Sequence, residues 1–153
     1  MSGQNNKTKL NIFTIGFAGK SACEFFTKLE TAGIKIVIDV RLNNVSQLAG
    51  FTKKQDIEYF LKEIGKIEYI HRPEFAPTKS ILDAYKKKVI DWNEYESQFC
   101  QLMTERQIEN LVMHEEIDRA CLLCSESKPE QCHRRLVAEY FQSHCGNVVI
   151  QHL

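Results

Sequence analysis

Net charge is the first thing this sequence lacks: twenty Lys and Arg balance twenty Asp and Glu. No global field draws the chain to nucleic acid or to an anionic membrane, so any anion binding has to come from a local arrangement of charge. No apolar run approaches the ~20 residues of a membrane span. The N-terminus, MSGQNNKTK, has none of the apolar stretch that a secretory leader carries. We expect no membrane partner and a cytoplasmic location. Internal repeats and low-complexity segments are also missing, and no second C-x-x-C pair supports a four-cysteine zinc knuckle.

What the chain does have is six cysteines: Cys23, Cys100, Cys121, Cys124, Cys132 and Cys145. At 153 residues it is long enough to bury a core without covalent staples. With no secretion signal either, the cysteines read as reduced. Cys100 in SQFCQLM sits among apolar neighbours, where free cysteine behaves as a small hydrophobe. The first residues, 1–11, read as a flexible tail ahead of a single domain over 12–153.

Strand-like and helix-like segments alternate along the chain. LNIFTIG, IKIVIDVR, KIEYIHRP, RACLLC and NVVIQHL are short apolar runs bounded by glycine, proline or charge, and read as strands. KSACEFFTKLETAG carries Ala22, Phe25, Phe26 and Leu29 at helical spacing before Gly33. FTKKQDIEYFLKEIG puts Ile57, Phe60, Leu61 and Ile64 on one face, with Thr52 as N-cap. The stretch from EFAPTKSILDAY to NLVMHEE is mostly helical, with DWNE as a capping box. In PEQCHRRLVAEYFQSHCG the expected N-cap is Ser127, with Pro129 in the first turn. This alternation predicts a single three-layer α/β domain: an open, mostly parallel sheet with helices on both faces.

Such sheets bind ligands at the carboxyl ends of their strands. That edge collects Gly16 from the first strand, Asp39 and Arg41 from the second, His71 and Arg72 from the third, and Cys124 and Glu126 from the fourth. On the following helix, Cys132, Leu136 and Tyr140 form one apolar stripe and His133, Val137 and Phe141 the next. Arg134 lies at the margin of these stripes.

LLCSESKPEQCHRR admits several chemistries. A phosphatase-like nucleophile at Cys124 wants an arginine six residues on, but that position is Glu130, and Glu126 in the loop repels phosphate. Zinc has spacing in its favour, yet Cys121 and Cys124 point to opposite faces of a strand. Cys124, Cys132, His133 and His71 remain as a possible converging set. An anion site is offered by the planar forks of Arg41 and Arg134 near a helix N-terminus. Asp39 or Glu126 would orient those arginines or transfer protons, and His133 and His71 titrate near neutral pH. The plain alternative is a strand-end salt bridge, a core cysteine and a satisfied histidine.

Four segments carry a resemblance to a known family: TIG (Thr14 to Gly16), DVR (Asp39 to Arg41), IEYIHRPEFAP (Ile67 to Pro77) and LLCSESKPEQCHR (Leu122 to Arg134). Together they resemble the domain-of-unknown-function family 488 from about Phe13 to Gln151. That family's Leu-Cys-x-Glu, proline, Cys-His-Arg pattern falls on Leu123, Cys124, Glu126, Pro129, Cys132, His133 and Arg134. Departures are Phe17 and Ala18 after TIG, and Phe75, Ala76 and Pro77 where many members have Leu-Gly-Gly. The resemblance implies an α/β sandwich.

The expected function is an enzyme, a metal-independent hydrolase or transferase, acting on a phosphate-bearing substrate (a nucleotide or nucleic acid) at the sheet's carboxyl edge. Glu126 and His133 would transfer protons. Cys132 would be a nucleophile if the helix start lowers its pKa. Gly16, Asp39, Arg41, His71, Cys124 and Arg134 would bind the ligand. No cofactor is assigned. The alternatives are a non-catalytic nucleotide-sensing or nucleic-acid-binding module in the same pocket, and a zinc site at Cys124, Cys132 and His133.

Overall fold

The computed structural model describes residues 8–45 and 50–153; the first seven residues of the expected tail lie outside them. Five strands form one open sheet: β1 (Leu10–Gly16), β2 (Ile36–Asp39), β3 (Glu68–His71), β4 (Ala120–Cys124) and β5 (Val148–His152). Their order is β3-β2-β4-β1-β5, and every pairing is parallel. β1 covers the expected LNIFTIG strand in full, with Leu10 buried.

Six helices connect the strands: α1 (Ala22–Thr31), α2 (Lys54–Phe60), α3 (Lys79–Lys86), α4 (Trp92–Arg106), α5 (His114–Ile117) and α6 (His133–Cys145). Two separate apolar clusters define the layers. Phe13, Ile15, Val37, Cys121 and Leu123 of the sheet pack on Phe25, Phe26 and Leu29 of α1 and Ile57 of α2. Ile12, Ile38, Leu122 and Cys124 pack on the other face, against Tyr95, Phe99 and Met103 of α4 and Leu136, Val137 and Phe141 of α6. Alternate residues along each strand thus feed opposite cores, as the period of two requires. Cys121 and Cys124 fall in different clusters for that reason.

Caps and turns depart from the sequence reading in three places. Lys53, not Thr52, caps α2; Thr52 ends a 3₁₀ turn and is buried. Beyond α2 the chain continues as a π turn over Leu61–Gly65. Its extra residue shifts the helical phase, so Leu61 stays in the core while Ile64 turns to solvent. The helix after β4 starts at His133 with Cys132 as N-cap, five residues later than Ser127 would set it. Residues 125–131 are therefore loop.

Candidate active site

The strand order creates one place where the two helical layers part. Right-handed crossovers send β2 toward β3 on the α1/α2 face and β4 toward β5 on the α6 face. Between β2 and β4 the chains leave the sheet in opposite directions, the arrangement that opens a ligand crevice. A cavity of about 550 Å³ lies there. Its floor is Cys124, Cys132 and His133; its walls include Phe17, Arg41, Tyr85, Trp92 and Tyr95; Lys79, Lys86, Asp83 and Glu126 stand around it. A concavity of similar size at the amino ends of the strands is lined by Glu30, Lys35, Lys66, Glu68, Glu115, Glu116 and Arg119, among others. It holds no cysteine or histidine to act as nucleophile or ligand.

β2 delivers the charged half of the site. Asp39 is fully buried and Arg41 is 5 % exposed. Arg41 Nε and Nη2 donate to the two Asp39 carboxylate oxygens at 2.9 and 2.7 Å, and Nη2 also reaches the Thr52 carbonyl at 2.6 Å. Tyr69 Oη donates to Asp39 Oδ2 at 2.6 Å and accepts from Asn44 at 3.0 Å. His71 Nε2 donates to the Arg41 carbonyl at 2.6 Å. Phe17 stacks 5.3 Å from the guanidinium. Arg41 Nη1 is buried with no acceptor among the described residues, as are Arg72 Nε and Arg134 Nη2. Unpaired buried donors are rare enough in folded proteins to call for an explanation.

β4 and α6 deliver the reactive half. Cys124, Cys132 and His133 are all buried, and their donor atoms lie within 4.8 Å of one another. Cys124 Sγ is 3.7 Å from His133 Nδ1 and 3.8 Å from Nε2. His133 Nε2 lies 2.6 Å from the Val40 carbonyl. A carbonyl only accepts, so Nε2 carries the proton and Nδ1 keeps its lone pair. The Cys132 thiol as donor, with the Ser125 backbone and the charge of Arg134, holds the Cys124 thiol below its usual range against the opposing effect of burial. The same Cys124–Cys132 contact, with burial, pushes Cys132 up. Of the pair, Cys124 is the more acidic thiol and Cys132 the less.

Four of the six expected ligand-binding residues, Gly16, Asp39, His71 and Arg134, do not line the cavity. Arg134 is fully buried rather than marginal. Its Nη1 donates to the Glu126 carbonyl at 2.6 Å and Nε to Thr14 Oγ1 at 3.3 Å, which ties the loop over the end of β1. Among the described residues no carboxylate pairs with it. Gly16 sits under the same loop. A Cβ there would lie 1.6 Å from the Glu126 carbonyl oxygen, so this position needs a glycine to let the loop cross, not to approach a ligand. His71 acts behind Arg41 and does not line the cavity, whereas Glu126 is exposed at it.

Several participants had no sequence signal. Thr14 meets Arg134 across 120 positions, and Tyr69 joins Asp39 from the neighbouring strand, with no periodicity to announce either contact. Tyr85, Trp92 and Tyr95 form a continuous aromatic wall, with centroids 4.9–5.7 Å apart.

No curated protein and no solved structure matches the chain. Residues 21–141, from the start of α1 through most of α6 and including the whole cysteine–histidine segment, match the family described as Domain of unknown function DUF488, and the chain belongs to that family.

Proposed function

We propose that this DUF488 protein is an enzyme acting on a phosphate-bearing substrate, a nucleotide or a nucleic-acid end, bound in the cavity between β2 and β4. The observation that carries the reading is Arg41 in the cavity lining, fixed by Asp39 and with its Nη1 left without an acceptor among the described residues. A permanently charged donor held by a bidentate carboxylate is oriented in advance for an anionic oxygen. The aromatic wall of Tyr85 and Trp92 suits the flat face of a base. Lys79 and Lys86 add positive charge nearby. Asp39 is a positioning residue that acts through Arg41. Glu126 is the exposed carboxylate able to exchange protons with substrate, and Cys124 with His133 forms the buried reactive floor.

The test compares wild type with Arg41→Lys, which keeps a charge for Asp39 but loses the free fork nitrogen. Nucleotides, short oligonucleotides and inorganic phosphate are the probes. A ligand at about 100 times its Kd adds ~2.7 kcal/mol, about 5–10 °C in Tm for a domain of this size. Losing one charge-assisted hydrogen bond, ~1.5–3 kcal/mol, should weaken binding in Arg41→Lys by about 10- to 100-fold. Conversion of a bound probe to product, abolished by Glu126→Gln, supports the enzyme. Tight binding of an unchanged probe points to a sensing module instead. No stabilisation by any phosphate probe rejects both.

A further inference from the structure

We propose that Cys124, Cys132 and His133 form a binding site for a zinc-class metal ion, with an open coordination position toward the cavity. Zinc binds thiolate sulfur at about 2.3 Å and imidazole nitrogen at about 2.0–2.1 Å in tetrahedral geometry, which sets donor-to-donor edges of roughly 3.6–3.8 Å. Cys124 Sγ to His133 Nδ1, at 3.7 Å, is such an edge, and all three donor atoms fall within 4.8 Å of one another. The third donor, Cys132 Sγ, lies within the same 4.8 Å, about 1 Å at most beyond a tetrahedral edge.

The hydrogen bond of the histidine selects which of its nitrogens can ligate, although Cys124 Sγ lies 3.7 Å from Nδ1 and 3.8 Å from Nε2, so the ring has to turn to aim Nδ1 at a shared ion. Its Nε2–H is anchored on the Val40 carbonyl at 2.6 Å, which leaves Nδ1 as the nitrogen free to ligate. An imidazole that ligates through one nitrogen and donates to a backbone carbonyl through the other is the usual outer-shell arrangement of metal-bound histidine. The ligands also stand on rigid elements: Cys124 ends β4, Cys132 caps α6 and His133 is its first residue. All three line the cavity, so the fourth position faces the space where a substrate or water would sit, the pattern of a catalytic rather than a structural zinc.

Ligand chemistry narrows the ion. Two thiolates and an imidazole select zinc and its soft or borderline neighbours over magnesium or calcium, which take oxygen ligands. A doubly charged ion with two thiolates makes a neutral unit in a buried place. Metal binding stands independently of the enzyme reading, but a role for the ion as the reaction centre, polarising a bound phosphate oxygen or water, rests on it.

The experiment uses the full chain, stripped with chelator under reducing conditions and titrated with Co²⁺ and then Zn²⁺. The expected result is one ion per chain. It should show a thiolate-to-cobalt band in the near ultraviolet and strong tetrahedral bands in the visible, all bleached by one equivalent of zinc. In Cys132→Ser the near-ultraviolet band should weaken and affinity fall by more than the roughly 10- to 100-fold that loss of an outer-shell partner costs. Cys100→Ala should behave as wild type. Should the variant fail to fold, alkylation of wild type decides: zinc should slow modification of Cys124 and Cys132 while exposed Cys23 reacts at an unchanged rate. Absence of a cobalt spectrum, a spectrum unchanged in Cys132→Ser, or equal alkylation with and without zinc overturns the proposal. Phosphate probes that stabilise the chelated protein while cobalt never binds would remove the metal and keep the substrate. A cobalt spectrum with no response to any phosphate probe would do the reverse.

Discussion

Replacing Gly16 with alanine puts the packing of the loop over β1 to a direct test. The new methyl carbon would lie 1.6 Å from the Glu126 carbonyl oxygen, 2.7 Å from its carbon and 2.9 Å from Arg134 Nη1. Two of these atoms are backbone, so no side-chain rotation relieves the overlap; the loop has to retreat by about 2 Å to reach ordinary contact. That retreat breaks the 2.6 Å hydrogen bond from Arg134 and pulls at Ala18 N–Ser125 O and Phe17 N–Cys124 O. Losing a hydrogen bond to a buried charge costs about 1.5–3 kcal/mol, and forced overpacking about 1–3 kcal/mol. Together these lower Tm by on the order of 10 °C in a domain of this size. Gly19 is the control. It has a φ of +75° but nothing within 4 Å of a Cβ, so Gly19→Ala carries only the left-handed backbone cost of about 1–2 kcal/mol. Thermal and urea denaturation of both variants measure the difference. Gly16→Ala within about 3 °C of wild type, or less destabilised than Gly19→Ala, would show that the loop does not depend on this contact.

Three other outcomes follow from the site. Asp39→Asn leaves Arg41 buried without its counter-charge and should cost about 3–5 kcal/mol, seen as a lower urea midpoint at unchanged slope; a loss below about 1 kcal/mol contradicts the pairing. Burial and the Arg134 charge hold the His152 imidazole below its ordinary pKa. The unfolded chain therefore takes up this proton first, so the neutral ring's contribution is complete above about pH 6.5 and is lost as pH falls through that value toward the folded pKa. His152→Gln should flatten the Tm–pH curve on the acid side, and an unchanged slope rejects the linkage. Trp92, the chain's one tryptophan, lines the cavity, so a bound nucleotide should quench its emission. Trp92→Phe should abolish that signal while a ligand-induced Tm shift persists; quenching with no such shift in either protein would place the probe elsewhere.

The strands were legible because each is a short apolar run ended by a turn residue or a charge, and the parallel sheet followed from their alternation with helices. The site's edge was legible for the same reason: Asp39, Arg41, His71 and Cys124 all fall at or just past strand ends. What a pattern of residue types does not carry is direction beyond the strand. Arg134 looked like a margin residue on a helix taken to begin at Ser127, but with α6 starting at His133 it points inward beneath the loop. Gly16 was expected among the ligand-binding residues; what lies against it is the backbone of the protein's own loop at Glu126. Ile64 was assigned to the core by a 3.6-residue period that a π turn interrupts.

The strand order also governs when this molecule can fold. β1 and β2 never pair with each other; each pairs with β4, which begins at Ala120. On a ribosome, more than three quarters of the chain is made before the strand that joins the two halves emerges. Until then β1 and β2 each present an unpaired edge to the cell. Closure is a long-range event, the kind that slows folding and lengthens exposure to aggregation. Cys124 ends that joining strand, so the cavity floor starts to form as the two halves of the sheet unite, and a chain truncated before residue 120 should have neither the floor nor the union.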